Sequence, residues 1–306
     1  MDMLSILNRH YPLRCTDIAL HRDGGSMTYI VSSVMGRFFL RAVRAVFMDT
    51  ALQAVAVHLF LMAQNIPVPR IVLTNDGQPY VRTGENEGFI LYEYINGGAP
   101  LPADTEAVGV LTARFHNALQ NYPKPLVRRD KQYFIGRYLD ILRSKKHTLL
   151  EAYTRLGDWL WEQVEGLPMG IGHGDLYSGN ILRDKNGGLY MLDFDTVCHT
   201  FPVYDAALFC NETNYFEYGD EGVAKTKAKL QAFLKGYSIH RAFSKEEEQA
   251  VYRCIAISHF QIQATIVEIY GVDCNEADFE EVQFEWLTQF LRQAAIETGT
   301  DLPGLL

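Results

Sequence analysis

The chain is poor in cysteine and shows no pattern in what it has. Cys15, Cys198, Cys210, Cys254 and Cys274 are scattered through 306 residues without a CxxC pair. An odd, scattered set argues against a disulfide framework or a zinc cluster, and fits reduced thiols in a cytoplasm. The N-terminus has no charged-then-apolar leader and no run reaches about eighteen apolar residues, so neither secretion nor a membrane span is expected. Positive charge is also short. Lys and Arg number 28 against 37 Asp and Glu, a net charge of -9, which argues against nucleic acid as a partner and is compatible with a cationic small substrate. Internal repeats and low-complexity tracts are missing as well.

What is there is ordinary in bulk and specific in one place. Hydrophobic content of 48% and charged content of 21% are those of a globular protein long enough for one large domain or two lobes. The specific place is Ile171-Gly-His-Gly-Asp-Leu-Tyr-Ser-Gly-Asn-Ile-Leu182, followed by Leu189-Tyr-Met-Leu-Asp-Phe-Asp195. Two apolar runs flank the turn Asp184-Lys-Asn-Gly-Gly188, a strong β-hairpin signal. Asn180 opens the first strand and Asp193 closes the second, so the hairpin sets them side by side at one end. An amide oxygen and a carboxylate so placed suit magnesium holding phosphates better than zinc. The alternative, a surface hairpin with solvated carboxylates, is disfavoured because acidic side chains beside apolar strand residues are costly without a partner.

His173-Gly-Asp175, then Asn180, then Asp193-Phe194 resembles the catalytic loop and metal-binding turn of the protein-kinase-like fold. The form His-Gly-Asp-Leu-x-x-Gly-Asn is similar to that of the aminoglycoside phosphotransferase and choline kinase family, which includes type II homoserine kinases and spore-coat kinase-like proteins. The resemblance implies an α+β fold of two lobes: residues 1–95, a small antiparallel-sheet lobe with one main helix that binds nucleotide, and residues 96–306, a larger and mostly helical lobe for catalysis and acceptor binding. It implies ATP and magnesium as cofactors and a hydroxyl on a small molecule as acceptor. Asp175 would accept the proton of that hydroxyl, and Asn180 and Asp193 would hold the metal. His173 and Asp205 would be structural, Asp205 bracing the catalytic loop from the start of its helix, where a carboxylate also suits the helix dipole. Asp195 would contact either a second metal ion or the acceptor.

The same resemblance assigns the N-terminal part. Gly24, Gly25 and Ser26, ahead of the β-branched run Met27–Val31, stand at the nucleotide-covering loop, where glycine amides can cradle phosphate. In the alternating strand Arg37–Val43, Arg41 stands where the family carries a phosphate-contacting lysine. Arginine keeps the charge and can grip phosphate bidentately. The helix read over Met48–Gln64 supplies no glutamate to orient it, since Ala54 and Ala56 occupy those positions. Glu93, Tyr94 and Ile95, ahead of Gly97-Gly98, would present their backbone to adenine.

Spacing of apolar residues predicts further helices over 105–118, 133–142, 149–164, 220–236, 244–270 and 276–296. A second hairpin is expected from Ile71–Leu73 and Tyr80–Arg82 around Asn75-Asp-Gly77. The acidic residues Glu276, Asp278, Glu280, Glu281 and Glu285 on the last helix could meet a cationic acceptor or simply be solvated. The leading expectation is an ATP-dependent small-molecule kinase. The rivals are a nucleotide-binding pseudokinase that serves as a scaffold, and a protein or spore-coat kinase. Acceptor identity and oligomeric state are not readable.

Overall fold

The computed structural model describes residues 2–23, 26–84, 87–274, 276, 278–300 and 302. Along the chain come α1 (Met3–His10), β1 (Cys15–Arg22), β2 (Met27–Ser33), β3 (Gly36–Val43), α2 (Met48–Ala63), β4 (Val81–Arg82), β5 (Gly88–Glu93) and β6 (Gly97–Gly98). There follow α3 (Thr105–Leu119), α4 (Arg137–Ser144), α5 (Leu150–Glu162), β7 (Gly170–Gly172), β8 (Ile181–Asp184), β9 (Leu189–Met191) and β10 (Cys198–Thr200). The chain ends with α6 (Pro202–Cys210), α7 (Glu221–Tyr237), α8 (Lys245–Tyr270) and α9 (Phe279–Thr298). These elements fall into two units. One joins Met1–Pro100 to Ser178–Thr196; the other joins Leu101–Tyr177 to Val197–Leu306.

The first unit is built on an antiparallel sheet in the order β1-β2-β3-β5-β4. Alternation along its strands sends residues to opposite faces. Leu40, Phe89 and Leu91 pack with Leu7 and Tyr11 of and beside α1 on one face. Val43 and Ile90 pack with Met48, Ala51 and Val55 of α2 on the other. Arg41 shares the parity of Val43 and so lies on the α2 face. By length and composition α2 with the turn before it, Ala45–Ala63, could also cross a membrane, yet its buried Met48, Ala51 and Val55 are in a sheet-packed cluster. A small second sheet in this unit, β6-β8-β9, carries the hairpin expected from Asn-Gly-Gly. Gly187 takes φ +86, and the Asp184 carboxylate accepts from the amides of Asn186 and Gly188, both at 2.8 Å.

The other expected hairpin does not form as such. The turn is present, with Gly77 N donating to the Thr74 carbonyl at 2.9 Å. Its two arms pair with β5 instead of with each other: Val81 and Arg82 with Phe89 and Gly88, while Val72 N donates to the Leu91 carbonyl at 2.8 Å. The turn chemistry was local, but β5 offered both arms a longer partner already buried in the core.

The second unit is mostly helical. α3 and α7 pack at backbone distance, because a Cβ on Gly109 would come within 2.1 Å of the Phe233 carbonyl and one on Gly236 within 1.8 Å of that of Glu106. α8 begins at a reciprocal cap: Glu247 N donates to Ser244 Oγ (3.2 Å) and Ser244 N to Glu247 Oε2 (2.8 Å). Buried residues recur along it from Ala250 to Val267. The helix read over 133–142 begins with a π-helical turn, Gln132–Gly136, before α4. The acidic face of α9 is not uniformly solvated. Glu280 is buried, and Lys145 Nζ donates to its carboxylate at 2.7 Å.

Candidate active site

The loop that carries Asp175 starts where β7 ends. β7 is short and pairs with β10, Cys198 opposite Gly172. Gly174 adopts φ +79, a conformation glycine reaches without strain. The backbone there is held by the buried carboxylate of Asp205, in the first turn of α6. It accepts from His173 N at 2.6 Å and Gly174 N at 2.8 Å. It accepts a third time from His116 Nε2 at 2.8 Å, and the other ring nitrogen of His116 meets the Tyr237 hydroxyl at 2.9 Å. Burial alone would raise the pKa of Asp205, but the hydrogen bonds from His116 and the loop amide outweigh it and hold the group below the ordinary carboxylate value. From the other side Arg129 Nη1 donates to the Gly174 carbonyl at 3.3 Å, with its guanidinium 4.2 Å from the Tyr133 ring centre. Asp175 follows, exposed, between buried Gly174 and buried Leu176. The hydrogen bonds around it fix the main chain and leave the carboxylate at the surface of its unit.

Between Asp175 and Asn180 the chain passes from the second unit into the first. Asn180 is buried, and its carbonyl accepts from Leu192 N at 2.9 Å. The ladder continues with Ile181 opposite Met191, so the segments bearing Asn180 and Asp193 are adjacent. β9 is anchored by Met191 N donating to the Pro67 carbonyl at 3.0 Å. Asp193 takes φ +57, the left-handed region that aspartate tolerates better than most side chains and that often marks a functional turn. An amide oxygen and a carboxylate on adjacent hairpin ends are hard oxygen donors, the type that magnesium takes. Phe194 beyond it is buried, with its ring against His58 of α2 at 5.2 Å, edge to face.

Arg41 on β3 makes a bidentate ion pair with Asp195: Nη1 to Oδ1 at 2.7 Å, and Nη2 to Oδ2. Its Nε donates to Ser26 Oγ at 3.0 Å. Burial would lower the pKa of this guanidinium, but the Asp195 carboxylate more than reverses that and raises it. Gly24 and Gly25, read as the nucleotide-covering loop, lie outside the described residues. Glu93 ends β5, with its amide donating to the Arg70 carbonyl at 2.8 Å. The ring of Tyr94 faces the Arg37 guanidinium at 4.4 Å, and Ile95 is half-buried. Sequence patterns give no sign of Arg129 as a loop anchor, of His116 as the third hydrogen-bond donor to Asp205, or of the pairing of Arg41 with Asp195. Each joins residues far apart in the chain, and no spacing rule connects them.

Known proteins share this sequence pattern and fold. A homoserine kinase of Methylobacillus flagellatus is 27% identical over 240 residues, covering 72% of this chain and 70% of that protein. An amicoumacin kinase solved in complex with AMP-PNP, Ca2+ and Ami superimposes with a TM-score of 0.73 at 17% identity, covering 96% of this chain and 94% of that one. A microcompartment-associated aminopropanol kinase superimposes with a TM-score of 0.72 at 17% identity, covering 97% and 98%. These structures share the two-part kinase-like fold expected from the motif. The profile of the phosphotransferase enzyme family matches residues 17–243, well over half the chain. The protein therefore belongs to that family, and it is a kinase that acts on a small molecule.

Proposed function

We propose that the chain transfers the γ-phosphoryl group of ATP, with magnesium, to the hydroxyl of a small amino alcohol, with homoserine as the first acceptor to test. The observation that carries this reading is the hairpin that juxtaposes the Asn180 and Asp193 segments, a few residues after a loop whose main chain Asp205 holds. Relatives named homoserine kinase support the choice of acceptor. In this reading residues 1–95 serve nucleotide binding and residues 96–306 catalysis and acceptor binding, although residues 96–100 and Ser178–Thr196 belong structurally to the first unit. Cysteines that are all free, four of them buried, support a cytoplasmic setting.

The chemistry follows from the residues. Asp175 takes the proton of the acceptor hydroxyl as its oxygen bonds to the γ-phosphorus, and the bond to the β-phosphate oxygen breaks to release ADP. Asn180 and Asp193 would hold magnesium, which would supply charge neutralisation to the phosphates. Arg41 with Ser26 faces the α- and β-phosphates, and the backbone of Glu93 to Ile95 meets adenine. Phosphoryl transfer needs mainly positioning and charge neutralisation, and these parts supply both. The test is ADP release across a panel of homoserine, choline, aminopropanol and aminoglycosides, each with and without magnesium. Turnover of homoserine, or of another amino alcohol, supports the reading. Nucleotide binding with no transfer to any acceptor would favour a scaffold.

A further inference from the structure

The first unit contains a charged pair that the roles above leave unexplained. Arg41 and Asp195 are 154 positions apart and meet fork to fork, with side chains only 15% and 23% exposed. A pair this enclosed is not one of the solvated surface contacts that contribute little. Bidentate geometry fixes a guanidinium in its plane as well as in position. Three of its five N–H groups are used, by Ser26 and by the two Asp195 oxygens. Among the described residues, two remain to donate.

The α2 helix gives Arg41 no carboxylate. Where α2 reaches the metal-binding turn, it presents the His58 ring, packed 5.2 Å from Phe194 and 5.3 Å from Tyr92. His58 Nε2 is committed to the Pro69 carbonyl at 2.5 Å, and burial pulls the His58 pKa down to about 4, so the ring is neutral at pH 7. Helix α2 thus shapes the turn by packing, and the carboxylate comes from the turn itself. Asp193 and Asp195 bracket Phe194, whose ring is buried against His58, so the residue read as a metal ligand and the residue that grips Arg41 belong to one three-residue segment.

We propose that Asp195 is a positioning residue: it holds the Arg41 guanidinium in the plane in which its two remaining donors meet nucleotide phosphate, and it ties that grip to the turn carrying Asp193. This rests on the kinase reading above. Asp195 then serves neither a second metal ion nor the acceptor. Losing the carboxylate weakens nucleotide binding through Arg41, and the effect disappears when Arg41 is already gone.

The experiment is a double-mutant cycle read by calorimetric binding of AMP-PNP at several magnesium concentrations, with thermal melting alongside. Asp195→Asn is expected to raise the AMP-PNP dissociation constant about tenfold or more, the scale of a charge-assisted hydrogen bond. Asp195→Glu restores most of it. In an Arg41→Met background, Asp195→Asn adds nothing further. Because a lone buried charge can unfold a protein, the pair Arg41→Met with Asp195→Leu removes both charges; it keeps the wild-type melting behaviour and still binds poorly. An undiminished effect of Asp195→Asn without Arg41 overturns the proposal, as does a change confined to the magnesium midpoint, which would make Asp195 a metal ligand. If wild type binds AMP-PNP and Asp195→Asn binds it equally well, this inference alone fails. If wild type binds none, the kinase reading fails and takes the inference with it.

Discussion

Asp205 is the residue on which the local geometry depends most. A carboxylate with no exposure accepts three hydrogen bonds, two from the amides that precede Asp175. Truncating one partner of such a buried network leaves the others without compensation, at a cost of about 3 kcal/mol or more. Asp205→Ala is therefore expected to lower the urea midpoint sharply and to abolish turnover, whereas Asp175→Asn, at an exposed site, leaves the midpoint unchanged. A small shift for Asp205→Ala would mean the loop is held by other means. At this scale the sequence was legible where chemistry is local. His173, Asp175, Asn180 and Asp193 stand in one run whose order carries the resemblance to the family. The partner of Arg41 was not legible, because Asp195 comes to it only through the assembly of β3, β5 and the hairpin.

Among the elements, the hairpin β8–β9 was readable because Asn186-Gly-Gly188 specifies its turn and apolar runs flank it. β6 was not: two glycines read as a break, yet they pair with β8, Gly97 opposite Asp184 and Gly98 opposite Arg183. The approach is close at one of the two only. A Cβ on Gly97 would lie 2.1 Å from the Arg183 carbonyl oxygen, while one on Gly98 would meet nothing within 4 Å. Gly97→Ala must push β6 off the hairpin that carries Asn180 and is expected to cost about 1–3 kcal/mol, as overpacking does, with loss of activity. Gly98→Ala should be nearly silent in denaturant unfolding and in turnover. Equal effects at the two positions would show that the β6–β8 contact is not what constrains this segment. The misplaced 71–82 hairpin has the complementary cause. Its turn formed as its residues dictate, and competition for β5, a tertiary matter, redirected its arms.

For the molecule as a whole, each unit buries a histidine that burial keeps neutral. His58 lies in the first and His259 in the second, each with its pKa lowered to about 4. An unfolded histidine titrates near 6.5, so between 6.5 and about 4 the unfolded chain takes up protons that the native one refuses. Stability is therefore full above pH 6.5 and falls on acidification toward pH 4, by up to about 1.4 kcal/mol per pH unit for each histidine. Urea midpoints at pH 7.0, 5.5 and 4.5 should decline in that order, and His259→Gln should flatten part of the slope; a flat profile in the wild type would mean both rings are protonated in the fold. The two-lobed architecture was legible because one motif is specific to it, while the acceptor was not, since no second stretch of the sequence carries a comparable signature. The central claim is that this fold transfers phosphate to a small hydroxyl. The most direct measurement is ADP release from ATP and magnesium in the presence of homoserine, for wild type and for folded Asp175→Asn. Acceptor-dependent release that falls by about 10²–10⁴ in the variant is the expected result; equal release from both proteins would contradict the account.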